Sequence, residues 1–294
     1  MTSRDVVNVV QRRLPRKTKV GHAGTLDPLA EGVLVLGVGP AVRLVPYVQQ
    51  QPKHYQATFR IGSSSVSGDL EGEISEFPDL PIPTRDQLEG ATRNLTGEIE
   101  QIPPAHSAIW VDGERAYRRI RAGEEFEMPS RRVQIDTLEI TRYEFPEVDL
   151  NIVCGSGTYI RTLGIDLAIN AGSTAVMSFL SRLGVGPFQL KNSVSIDVLR
   201  EDDLEPHFLP VSLAVQHLPC VKVTDEDATR LGHGLCLDEM KPSTATKNNT
   251  ATKNADQEIT EVVAMTQRGQ VRAIVRLKRG QWCPYRVFPI RETE

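Results

Sequence analysis

The chain has 294 residues, 39% of them hydrophobic and 24% charged, which suits one large or two modest globular domains with an ample core. No stretch is long and apolar enough to cross a bilayer as a helix, and residues 1–16 carry several charges and no signal-peptide core, so a soluble, cytoplasmic protein is expected. The net charge of −4 argues against a simple polyanion binder, but it hides a pattern: residues 1–60 are net +6, residues 61–258 net −14 and residues 259–294 net +4. Basic ends around an acidic middle can hold a polyanion at two places.

In chain order, Ser3 can cap a helix in which Val6, Val7, Val10 and Leu14 recur at helical spacing. The stretch "KVGHAGTLDPLAEGVLVLGVG", Lys19 to Gly39, follows. Asp27-Pro28 is a turn signal, and Gly21, Gly24 and Gly32 permit positive φ or a close backbone approach. Val33 to Val38 contains nothing polar and predicts a buried strand, which leaves Asp27 in a loop at that strand's mouth. Lys53 to Ile61 alternates, with Tyr55, Ala57, Phe59 and Ile61 on one face, and predicts a half-buried strand. Gly62 to Gly72 is a serine-rich loop. Thr84 with Gln87 makes a capping box for a helix carrying Leu88, Ala91 and Leu95.

Pro103-Pro104 opens a short strand that ends at Asp112-Gly113, ahead of an arginine-rich helix from Glu114 to Ala122 stopped by Gly123. Val133 to Ile140 and Val148 to Cys154 predict strands. "GSGTYIRTLGIDLA" turns into a helix with Ile160, Leu163 and Leu167 inward, and a second helix is predicted over Thr174 to Leu180. Thr224 caps a short helix. Met240 to Glu258 is polar and of low complexity and reads as a disordered insertion. Val262 to Val287 predicts short strands joined at Arg268-Gly269 and Arg279-Gly280, with Arg272, Arg276, Lys278 and Arg279 forming a basic face. Strands and helices mix without regular βαβ alternation, which predicts an α+β body with a small C-terminal β domain.

The four cysteines, Cys154, Cys220, Cys236 and Cys283, form no Cys-x-x-Cys pair, so buried thiols are expected rather than a zinc site or a disulfide framework. The six histidines show no metal-type pairing, and no P-loop pattern is present.

Three pieces carry chemistry: Asp27 after His22, Tyr55 at the start of a strand, and Tyr159 with Arg161 at a strand-to-helix turn. Each alone reads as ordinary loop, core or surface. Together they suit a nucleobase site, because an aromatic face stacks a base drawn out of its helix. A buried Asp needs a cation to stay ionised, and Arg161 can be that cation. One carboxylate beside a ribose suits chemistry at a glycosidic carbon, and no second acid is evident in a comparable loop.

"GHAGTLDPLAEGVLVLGVG" and "GTYIRTLGIDL" resemble the two signature blocks of the TruB-type tRNA pseudouridine synthases. "KHYQATFRIG", "IEQIPPAHSAIWVDGERAY", "LSRLGVGPF" and "HLPCVKVTDEDATRLGHG" add to the likeness, which spans nearly the whole chain apart from the Met240 to Glu258 insertion. The resemblance implies isomerisation of uridine 55 in the T loop of tRNA, without metal, cofactor or energy source. It implies that Asp27 is the catalytic aspartate, attacking the nucleoside or removing a sugar proton. Tyr55 then packs on the flipped base, Tyr159 stands near C5, Arg161 pairs with Asp27, His22 enters the T loop and Leu180 lines the pocket. It also implies a catalytic domain over 1–205 with a mixed, mainly antiparallel sheet, a PUA-like RNA-binding domain over 206–294, and a monomer whose partner is the tRNA T arm.

The chain departs from the family at several places. It begins where a strand and an Asp-Lys-Pro-x-Gly segment would end, so a start further upstream is expected. His106, Val66 and Ser181 stand where Tyr, Asp and Arg are usual. Guide-RNA-dependent relatives often carry strongly basic tails, which this chain lacks. A non-catalytic tRNA-binding or RNA-folding protein is the competing reading, but a pure binder has no need of a desolvated carboxylate.

Overall fold

The structure is a computed structural model that describes residues 1–104, 129–240 and 261–289, together with the backbone of Trp110–Val111 and Glu114–Arg115. Among the described residues, no helix is long and apolar enough to cross a membrane. The chain divides into two compact units: the first holds Met1–Ser3, Gly24–Val35 and Gln49–Ser193, the second Arg4–Ala23, Leu36–Val48 and Val194–Glu294.

The elements run as follows: α1 (Ser3–Arg12), β1 (Val20–His22), β2 (Glu31–Gly32), β3 (Leu36–Val38), α2 (Val45–Gln50), β4 (Lys53–Ile61), β5 (Ser63–Ser65), β6 (Ile74–Glu76), α3 (Arg85–Asn94) and β7 (Gly97–Gln101). Next come β8 (Trp110–Val111), β9 (Glu114–Arg115), β10 (Arg131–Glu144), β11 (Glu147–Cys154), α4 (Ile160–Asn170), β12 (Ala175–Val185) and β13 (Phe188–Gln189). The chain closes with α5 (Ile196–Glu201), β14 (Cys220–Lys222), α6 (Asp225–Gly232), β15 (Glu261–Met265), β16 (Val271–Lys278) and β17 (Gln281–Val287).

The first unit is built on a sheet in the order β13-β12-β4-β11-β10-β7, antiparallel throughout, with β2 added in parallel to β12. The alternation of β4 is as expected: Tyr55, Ala57, Phe59 and Ile61 are buried. They join Leu150 and Ile152 of β11, Leu88 and Ala91 of α3, and Leu163 and Leu167 of α4 in one core. The capping box is present, with the Thr84 hydroxyl accepting from the Gln87 N–H and the Gln87 side chain accepting from the Thr84 N–H.

The second unit is built on a sheet in the order β14-β15-β16-β17, parallel between β14 and β15 and antiparallel elsewhere, with Leu231 of α6 packed into its core. Its hairpins turn at Gly269, Arg279 and Gly280, all at positive φ. The fold is therefore α+β, with mixed, mainly antiparallel sheets and a separate C-terminal β region.

Several expectations need correction. Thr174 to Leu180 is not a helix: Ala175 opens the long strand β12, and Thr174 immediately precedes it. Most of β12 is buried, with Phe179 its one exposed residue, and such a run shows neither a 2-residue nor a 3.6-residue period. Val33 to Val38 is not one buried strand: only Leu36–Val38 is strand, paired with β1, and only Val33 and Gly37 of the run are buried. Ser3 does not cap α1: it is the helix's first residue, and its hydroxyl accepts from the Leu26 N–H at 2.9 Å and donates to the Leu26 carbonyl at 3.3 Å. The serine-rich loop contains β5, paired with β6. Cys236 and Cys283 form a disulfide, while Cys154 and Cys220 are thiols. Glu114–Arg115 is a strand opposite Trp110–Val111, so the arginine-rich helix does not begin at Glu114. Asp112-Gly113, His106, the remainder of that helix and the insertion after Met240 lie outside the described residues. The basic face is partly used within its own unit: Arg276 pairs with Glu261 and stacks on Tyr285, and Arg272 donates to the Ala228 and Phe288 carbonyls.

Candidate active site

Asp27 lies in the connection between β1 and β2, where its carbonyl accepts from the Ala30 N–H at 2.9 Å. Its side chain is 35% exposed, so the carboxylate is half-buried rather than buried and stays open to an incoming group. Arg161, in the first turn of α4, reaches it with Nε 3.1 Å from Asp27 Oδ2. The expected pair is thus formed.

A second carboxylate, not anticipated from the sequence, lies on the other side of the guanidinium. Asp69 Oδ2 is 3.4 Å from Arg161 Nη1, and the Asp69 side chain is only 3% exposed. Arg161 also donates from Nη1 to the Ser67 carbonyl at 2.6 Å. The other oxygen of Asp69 accepts from the Ser67 hydroxyl at 2.6 Å and from the Glu71 N–H at 3.1 Å. Asp69 is therefore a counter-ion that orients Arg161, and its burial keeps it from serving a substrate as an acid. The arrangement aims a fixed positive group at one side of Asp27 through a charge-assisted contact, while the carboxylate stays part-exposed.

Tyr55 is buried on β4, with Ile152 and Arg182 as its register partners on either side. Burial pushes its phenol pKa up, and the nearby Asp27 charge adds to that. The positive charge of the Arg182 guanidinium pulls the other way. Leu180 is buried two residues earlier on β12, opposite Ala57. Tyr159 is the N-cap residue of α4, so its extended backbone turns β11 into the helix that carries Arg161.

Tyr159 has two supports that the sequence did not suggest. Gln101, 1% exposed at the end of β7, accepts from the Tyr159 N–H at 3.0 Å and donates to its carbonyl at 3.3 Å. Arg131, the register partner of Gln101 on β10, stacks 4.3 Å from the Tyr159 ring centroid and donates to the Gly157 carbonyl. A cation over an aromatic face contributes about 0.5–2 kcal/mol. Five of the six expected residues, Asp27, Tyr55, Tyr159, Arg161 and Leu180, thus belong to the first unit. His22 belongs to the second, half-buried on β1 opposite Leu36 of β3.

Of the residues missed, Arg182 left a trace, being the one charged residue in the apolar run from Ala175 to Val185. Asp69 left only an acid in a serine-glycine loop, and Gln101 left none.

The TruB family pseudouridylate synthase (N terminal domain) matches residues 12–160 of this chain. The chain belongs to the TruB family. Among relatives of this TruB-family chain, tRNA pseudouridine synthase B of Rhodopirellula baltica is 39% identical, over 99% of this chain and 92% of its own. The enzyme of the same name from Synechocystis is 44% identical, over 80% of each chain. Solved structures share the fold: a chain of a Cbf5-Nop10-Gar1 complex aligns with a TM-score of 0.67 at 23% identity, over 94% of this chain and 74% of its own. A chain of an archaeal box H/ACA sRNP Nop10-Cbf5 complex aligns with the same score and identity, over 99% of this chain and 84% of its own.

Proposed function

We propose that this protein isomerises uridine 55 in the T loop of tRNA to pseudouridine, with Asp27 as the reacting carboxylate. The observation that carries the reading is the half-open Asp27 carboxylate held at 3.1 Å by a buried Arg161, which is itself held by Asp69, in reach of the Tyr55 platform. In the reaction the C1′–N1 bond breaks, the uracil turns, C1′ bonds to C5, the C5 proton leaves and N1 gains a proton. Composition is unchanged, so the step needs no oxidant, reductant or energy source. Asp27 acts either by adding to the nucleoside or by taking a proton from the sugar, and in both routes Arg161 orients its carboxylate.

A uridine inside the T loop has to leave its stack to reach Asp27. Tyr55 then stacks the flipped base, Tyr159 stands near C5, Leu180 closes the pocket wall and His22 enters the T loop in the base's place. The basic balance of residues 1–60 and 259–294 suits a tRNA with two contact regions. We assign residues 1–205 to the catalytic domain and 206–294 to a PUA-like domain that grips RNA, and place the enzyme in the cytoplasm as a monomer.

The test is a T-arm hairpin tritiated at uracil C5, since bonding C5 to C1′ expels that hydrogen. Wild type is expected to release tritium to water, and Asp27→Asn to release none while binding the RNA within a few-fold of wild type. Loss of binding in step with release would make Asp27 a structural residue. Tight binding without release by wild type would favour the non-catalytic tRNA-binding reading.

A further inference from the structure

Arg182 is a charged residue on a core strand and is only 2% exposed. Its guanidinium is used in full view of the Asp27 loop. Nε donates to the Val33 carbonyl at 2.8 Å, Nη2 to the Gly24 carbonyl at 3.1 Å and Nη1 to the Thr25 carbonyl at 3.4 Å. Those three carbonyls bracket Asp27 in the chain. The main chain adds to the grip: the Val33 N–H donates to the Arg182 carbonyl at 2.8 Å, and Gly32 pairs in register with Arg182. Gly32 has φ of +102°, and a Cβ there would lie 2.3 Å from the Arg182 carbonyl oxygen, so only glycine admits this approach. Arg182 is also the register partner of Tyr55 on the neighbouring strand β4, and its positive charge acts on the Tyr55 phenol.

Arginine has five N–H donors in a rigid plane and no acceptor. Here that plane is directed at the loop carrying the carboxylate, while the backbone of Arg182 is paired with the strand that carries the ring. We propose that Arg182 is a positioning residue for the isomerisation, fixing the Asp27 loop relative to Tyr55 so that the carboxylate and the ring that stacks the base keep one geometry. Arg161 fixes the direction in which Asp27 points, whereas Arg182 fixes where the loop sits. The kinetic part of this inference rests on the synthase reading above.

Arg182→Lys keeps a charge and a long stem, but its single ammonium cannot span three carbonyls. Two readouts are taken. The first, independent of catalysis, is hydrogen exchange at the Leu26, Ala30 and Val33 amides, each of which has an acceptor in the intact loop. The variant should exchange these about tenfold faster, the loss of one charged hydrogen bond, with β11 and α4 unchanged. The second is single-turnover tritium release at saturating enzyme, expected to fall about 100-fold, as for a displacement near 1 Å, with RNA affinity within a few-fold of wild type. In a Tyr55→Ala background, which removes the ring, the same substitution should cost less than in wild type; additive losses would overturn the link to Tyr55. Unchanged exchange, or a wild-type rate at saturation with only a lower melting temperature, would overturn the positioning role. If wild type itself releases no tritium, the synthase reading fails, and the exchange readout alone decides whether Arg182 positions the loop.

Discussion

Gly164 lies in the middle of α4, and a Cβ built there would be 2.1 Å from two ring carbons of Phe59. Carbon atoms sit comfortably about 3.5–4.0 Å apart, so Gly164→Ala requires helix and strand to part by about 1.5 Å. Phe59 cannot give way, because it is fully buried on β4 between register partners Val148 on β11 and Met177 on β12. The helix must move instead. Arg161 is nearly one turn earlier on the same helix, and its bond to Asp27 spans 3.1 Å. A shift of about 1 Å there takes the pair out of hydrogen-bonding range. Alanine returns about 1 kcal/mol of helix propensity. Overpacking costs about 3 kcal/mol against that, so the net destabilisation is about 2 kcal/mol and the melting temperature should fall by about 5 °C. Turnover should fall further than stability, by about 100-fold below the melting range. Calorimetry and single-turnover tritium release measure the two effects, and Phe59→Leu added to Gly164→Ala should restore part of both. A raised melting temperature with a full rate would refute the reasoning, since only the helix propensity would then have registered.

Asp69→Asn keeps the acceptor for Ser67 and Glu71 but removes the buried counter-charge of Arg161, and should lower stability by about 3 kcal/mol in urea titration. An unchanged midpoint would mean that Asp27 and the Ser67 carbonyl satisfy Arg161 unaided. Lys53 is buried at the start of β4, donates to the Gln49 carbonyl, and is held by desolvation down to about 8 from 10.5. Because its folded pKa lies below the unfolded one, the folded state binds fewer protons between these values, and stability should rise as pH goes from about 8 to about 10.5. Below pH 8 the buried charge costs about 3 kcal/mol. Lys53→Met should therefore stabilise the protein at pH 7 by about 2 kcal/mol, once about 1 kcal/mol is allowed for the donor lost to Gln49. The gain should vanish toward pH 10, and a pH-independent difference between the two proteins would rule out desolvation as its origin.

Local pattern carried what local interactions decide. The Lys53 to Ile61 alternation, the Thr84 and Gln87 capping box and the Arg279-Gly280 turn each rest on a few neighbouring residues, and the structure has all three. Thr174 to Leu180 does not show its strand in the sequence because β12 is mostly buried, which blurs the period that tells strand from helix. Asp27 and Arg161 were legible as an acid needing a cation, and the family blocks named both. Asp69 was not, since nothing in a serine-glycine loop tells that its carboxylate will be buried under a residue more than ninety positions away.

These omissions share a cause. The segment from Ala23 to Ala30 contains no helix or strand, so its own main chain does little to fix Asp27. Its position comes from side chains of distant segments bonded to its backbone: Ser3 on Leu26, and Arg182 on Gly24, Thr25 and Val33. Tyr159 depends in the same way on Gln101. Such bonds leave no periodicity in the chain. One trace does survive: a buried guanidinium is tolerable only where many acceptors meet it, so a lone arginine inside an apolar strand implies a cluster of carbonyls or acids at that point of the fold. Arg182 meets that condition with three carbonyls. A reactive carboxylate on irregular backbone should accordingly be most sensitive to residues that never touch the RNA, and least to exposed neighbours such as Thr25 in its own loop.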